Sequence, residues 1–118
     1  MHAWRTEGKR LTSIPQMTVD EVAAGMSEGD VEVLDVRQPA EWAEGHVEGA
    51  TYITGAELPE RLDEITKDKR VAVICGSGFR SSVASSYLRA HGHPNAVNVS
   101  GGMGAWRATG HPTLAEAD

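Results

Sequence analysis

The chain's single cysteine, Cys75, sits in the stretch RVAVICGSGFRSSVASSYLRAHG, with four residues between it and Arg80. A cysteine acts as a nucleophile only as its thiolate, and the residue types around Cys75 favour the anion. Gly76 and Gly78 allow successive backbone N–H groups to face one concavity. A helix starting just after them adds unpaired first-turn N–H groups and the positive end of its dipole. Arg80 brings a permanent positive charge. Moving a thiol from about 8.5 to about 6.5 takes about 2.7 kcal/mol of preference for the thiolate. A helix terminus supplies roughly 0.3–2 kcal/mol, and charge-assisted hydrogen bonds or a nearby cation can supply the remainder. The competing reading is an inert core thiol, because free cysteines are among the most buried residue types. The glycines, the arginine and the immediate helix start favour the reactive one.

The elements that must position this thiol are legible in the pattern. RVAVIC is apolar on both faces, as in the middle of a parallel sheet, and SSVASSYLRAHG reads as a helix with Gly92 as its stop. Upstream, MTVDEVAAGMSEGD carries Thr18 and Glu21 at capping-box spacing and predicts a helix. VEVLDV, residues 31 to 36, predicts a strand. In RQPAEWAEGH, Pro39 fits a first helical turn and Gly45 its end. GATYIT predicts a short strand, and AELPERLDEI a helix with Leu58, Leu62 and Ile65 on one face. NAVNVSGG predicts a last strand and MGAWRATG a last short helix. Strands alternating with helices build βαβ units, hence an α/β fold with a central parallel sheet and helices on both faces. Ligands of such sheets bind beyond the carboxyl ends of the strands. Cys75, Asp35, Arg37 and Gly101–Gly102 all fall at such ends.

With 118 residues, the length suits one core. The 11 basic and 17 acidic residues, net −6, are spread along the chain and leave no footprint for nucleic acid. No apolar run approaches the roughly 20 residues that span a bilayer, and a lone cysteine fits a reducing cytoplasm. Neither a nucleic-acid nor a membrane partner is expected. One internal echo remains: MHAWRTEG at residues 1 to 8 and MGAWRATG at 103 to 110 share five positions. Residues 1–14 are therefore expected to form an N-terminal arm ending a preceding copy of the fold, and 15–118 the domain itself.

CGSGFR, with LDVR and AEGHVEGA upstream and GGMGAW downstream, resembles the rhodanese (sulfurtransferase) domain, in the same order from about Met17 to Gly110. The resemblance implies a rhodanese-like fold, one domain of a tandem or of a fusion with a metallo-β-lactamase-like domain. It also implies that Cys75 takes up a sulfane sulfur as a persulfide and passes it to a thiophilic acceptor. The backbone from Gly76, Ser77, Gly78, Phe79 and Arg80 to Ser81 would then cradle the terminal sulfur, with Arg80 orienting an anionic donor. Expected partners are small sulfur-containing anions or thiols, a sulfur-acceptor protein or a fused neighbour; no bound cofactor is expected.

Two other readings stand beside it. One is a non-catalytic module that docks onto or regulates a neighbouring domain. The other is a cysteine-dependent phosphatase or arsenate reductase, where five residues usually separate cysteine and arginine; here only Gly76 to Phe79 intervene, a ring better suited to a single sulfur. Asp35 and Arg37 are retained as possible rim groups, although opposite charges at a strand end more often brace loops, and Arg37 with Glu41 is the expected bracing pair. His46 looks structural in the rhodanese pattern. His91 and His93 flank Gly92 without a matching ligand motif and are read as surface residues. Trp106 is expected to pack the last helix, and Phe79 to be exposed at the crown of the loop. The chain departs from the family pattern where GATYITGAEL lacks a proline. The loop holds no cation besides Arg80, and CGSG resembles the mercaptopyruvate sulfurtransferases, whose next residues differ. The donor is left open between thiosulfate and a persulfide.

Overall fold

A computed structural model describes residues 14–115; the N-terminal echo and most of the expected arm lie outside them. Five parallel strands, β1 (Gln16–Met17), β2 (Val31–Asp35), β3 (Thr51–Tyr52), β4 (Arg70–Ile74) and β5 (Ala96–Val99), form one sheet in the order β1-β5-β4-β2-β3. Strand β4 is central, as its apolar run requires. Four α-helices, α1 (Val19–Glu28), α2 (Pro39–Glu44), α3 (Phe79–Ala90) and α4 (Gly102–Ala108), connect or follow the strands. The Thr18–Glu21 capping box is formed, each side chain bonded to the other's backbone N–H at 3.1 and 2.8 Å.

Two apolar layers cover the sheet. Because side chains alternate along a strand, Ala72 and Ile74 of β4 face one layer, with Val22 of α1 and Met103 and Trp106 of α4. Val71 and Val73 face the other, with Ala84 and Leu88 of α3, and Cys75 continues that face. The alternation, carried one residue past the strand, aims the thiol at the start of α3.

Three differences from the sequence-based expectation have physical causes. The segment Gly55–Glu60 and Leu62–Glu64 folds as two 3-10 turns instead of one helix. Pro59, which lacks an N–H, lies inside it. The apolar stripe survives: Leu58 and Ile65 are buried and Leu62 packs beside them. Strand β1 is too short to show a period and is held by its neighbour, through Asn98 N–H to Pro15 O and Ser100 N–H to Met17 O, both 2.9 Å. His93 is buried rather than superficial, its N–H bonded to Leu88 O at 2.9 Å; His91 is exposed as expected.

Candidate active site

The loop Cys75–Gly78 joins the central strand to α3. The Cys75 sulfur accepts the N–H of Gly78 at 3.1 Å and of Ser81 at 3.3 Å. The positive φ of Gly78, 108°, turns its amide inward, where a residue with a side chain would be strained. Ser81 belongs to the first turn of α3, whose N–H groups have no partner within the helix. Of the amides from Gly76 to Ser81, these two meet full hydrogen-bond geometry to sulfur, and that of Ser77 adds a smaller share. Burial alone pushes the Cys75 thiol up. The Ser81 hydroxyl and the amides of Ser81, Gly78 and Ser77 outweigh it and hold the thiol below its ordinary value. In the resting structure that hydroxyl donates its one hydrogen to Asn98 Oδ1, so the backbone N–H groups are the donors seen on sulfur.

Helix α4, behind the loop, anchors its first two peptides. Its first N–H groups take the loop's carbonyls, Met103 N–H to Cys75 O at 2.7 Å and Gly104 N–H to Gly76 O at 3.0 Å. These bonds fix the peptides that carry the Gly76 and Ser77 N–H groups, and so the start of the loop that leads to the Gly78 amide. The approach is so close that a Cβ on Gly102 would stand 2.2 Å from Cys75 O.

Arg80 is not free at the mouth of the loop. It makes a two-bond fork with Glu41 of α2, 2.8 and 2.9 Å long. Glu41 also accepts the Gln38 N–H, capping its own helix at 3.0 Å. The Arg80 hydrogen bond is the main reason that the Glu41 carboxyl is lowered to about 2; Arg80 in turn is pushed upward, first by Glu41. Both side chains are more than a third exposed, so the pair adds no more than about 1 kcal/mol of stability. Its consequence lies in position, since it crosses over Gly76.

Arg37 braces Asp35, not Glu41. The two are 2 % and 0 % exposed, joined by Nε and Nη2 bonds of 2.8–3.1 Å, and Arg37 Nη2 reaches Gly45 O at 2.7 Å. Asp35, locked in this way, is removed from the rim and poorly placed as a general acid. The pair ties the end of β2 to the end of α2. His46 stacks on Trp42 at 3.6 Å, its Nδ1 2.8 Å from Trp42 O, and Trp106 is buried with its indole N–H on Pro112 O at 2.9 Å. Phe79 is 74 % exposed. Sequence reasoning missed Asn98, and it paired Glu41 with Arg37 where the structure pairs it with Arg80. Glu41 also stands third after Gln38, a capping-box position.

The sulfur is held by amides yet covered: Cys75 is 0 % exposed. Beside the loop lies an open, mostly apolar groove of about 410 Å³ between α3 and the 3-10 turns.

Comparison with known proteins agrees with this architecture. The profile of the Rhodanese-like domain matches residues 18–109. A protein of Allochromatium vinosum named sulfurtransferase is 40 % identical over 86 residues, 73 % of this chain and 80 % of that protein. The thiosulfate sulfurtransferase GlpE of Tolumonas auensis is 29 % identical, over 82 % of this chain and 92 % of its own. The crystal structure of a rhodanese-like domain protein from Staphylococcus aureus superposes with a TM-score of 0.78 at 32 % identity, covering 88 % of this chain and all of that one.

Proposed function

This chain belongs to the rhodanese-like family, and we propose that it acts as a sulfurtransferase working through a persulfide on Cys75. The observation that carries this reading is the pair of N–H groups, from Gly78 and Ser81, directed at the sulfur. The Cys75 thiolate attacks the outer sulfur of thiosulfate or of a persulfide. The donor's S–S bond breaks and its electron pair leaves with sulfite or a thiolate. The sulfur gained carries the negative charge, and the N–H groups of the loop are the donors available to it, as an oxyanion hole serves an acyl-transfer intermediate. An acceptor thiolate or cyanide then attacks that outer sulfur, and Cys75 leaves as a thiolate. The cycle needs no outside oxidant or reductant.

Mass spectrometry of the folded chain after incubation with thiosulfate, polysulfide or mercaptopyruvate tests it. Cys75 is expected to gain one sulfur from at least one donor and to lose it on addition of cyanide. No gain from any donor contradicts the reading. One observation favours a second reading, a docking module without turnover: the thiol has no exposed surface in the resting loop. In that case partner affinity, not sulfur loading, survives as the measurable property.

A further inference from the structure

The one cation of the loop is already engaged, since Arg80 gives both terminal nitrogens to Glu41. The fork lies against the loop: a Cβ on Gly76 would stand 3.2 Å from Arg80 Nη2 and 3.7 Å from Glu41 Oε2. A dianion approaching Cys75 therefore meets a carboxylate beside the guanidinium, on a chain of net charge −6. The groove on the other side of Arg80 is walled by Leu58, Pro59, Phe79, Val83 and Tyr87. Phe79 and Val83, 74 % and 57 % exposed, offer apolar surface that a sulfate-like group cannot use and an alkyl chain can.

We propose that Glu41 is a specificity-determining residue, turning the Cys75 site away from inorganic dianions and toward persulfides carried on uncharged, apolar thiols. This rests on the sulfurtransferase reading above. The Cys75 thiolate bonds to the outer sulfur of R–S–SH, and the donor's S–S bond breaks. R–S⁻ leaves with the electron pair and ends as R–SH with the proton that the transferred sulfur gives up, while Cys75 becomes the anionic persulfide Cys–S–S⁻. Glu41 touches neither reacting sulfur; it acts through Arg80 and through its own charge.

The test uses two donors, thiosulfate and the persulfide of propanethiol. Each rate of Cys75 loading is divided by that donor's rate with free cysteine, which removes intrinsic reactivity. Wild-type protein is expected to favour the alkyl persulfide by at least about tenfold. Glu41→Gln is expected to cut this preference by about tenfold, the scale of removing one charge facing a dianion at a water-exposed mouth. Glu41→Asp, which keeps the charge, should retain the wild-type ratio. A purely structural role for Glu41 would change both donors equally, and that result overturns the inference. So does a wild-type ratio of one or below, which decides the matter even if Glu41→Gln fails to fold. Loading by neither donor in the wild type removes the sulfurtransferase premise and this inference with it, whereas loading by both without preference refutes the filter alone.

Discussion

Cys75→Ser is expected to abolish sulfur transfer while leaving the domain folded. A serine hydroxyl stays protonated at neutral pH and forms no persulfide, and the chain has no second cysteine to substitute for it. Turnover should fall to the uncatalysed background with every donor. The structural cost is small, because the smaller hydroxyl introduces no clash and its oxygen faces the same Gly78 and Ser81 N–H groups. Destabilisation of about 1 kcal/mol corresponds to a fall in melting temperature of roughly 4–8 °C for a domain of this size. Steady-state assays together with a melting curve check both halves. Residual turnover within tenfold of wild type would remove Cys75 from the mechanism.

Gly102→Ala should cause the largest loss from a single methyl group. Gly102 has φ +56°, and a Cβ there meets Cys75 O at 2.2 Å and Gly76 O at 2.8 Å. Both obstacles are backbone, so no side chain can swing aside. Relief requires α4 to withdraw, which strains the Met103 and Gly104 bonds to those carbonyls. The left-handed conformation costs about 1–2 kcal/mol, and each lost hydrogen bond roughly 0.5–1.5 kcal/mol. A total of about 2–5 kcal/mol is a large share of the roughly 5–15 kcal/mol that holds a domain together. Gly110→Ala is the control, with φ +83° and nothing within 4 Å of its Cβ; it should lose only the conformational part. Urea denaturation of the two variants makes the comparison. Equal midpoints would mean that α4 does not shape the loop.

How much of this was readable in advance depended on whether the cause was local. The apolar run RVAVIC already placed the thiol at the carboxyl end of a central strand. The glycines and the helix start marked the loop because each is a property of a few consecutive residues. The paired carbonyls of Cys75 and Gly76 were beyond such reading, since their donors lie 28 residues further on, although Gly101–Gly102 had been placed at the same rim. Arg80 looked free because its partner Glu41 lies 39 residues upstream, in a segment whose pattern pointed to Arg37 instead. Arg37 prefers Asp35, two residues away and equally buried, where a fork of hydrogen bonds offsets the cost of burying both charges. Pro59 had the opposite lesson: a correct apolar stripe does not make a helix when one residue inside it lacks the N–H.

The account stands on one claim, that the loop's N–H groups hold the Cys75 sulfur as an anion despite its burial. Burial and hydrogen bonding pull the thiol in opposite directions, and the structure gives the hydrogen bonds the larger share. A thiol depressed in the folded state stabilises the fold above its unfolded value, about 8.5, and that contribution is lost as pH falls through the folded value. Thiolate absorbance, followed against pH in the native chain and again in denaturant, reads the difference directly. The midpoint is expected to be lower in the native chain than in the unfolded one; a native midpoint equal to or above the unfolded one would contradict the claim.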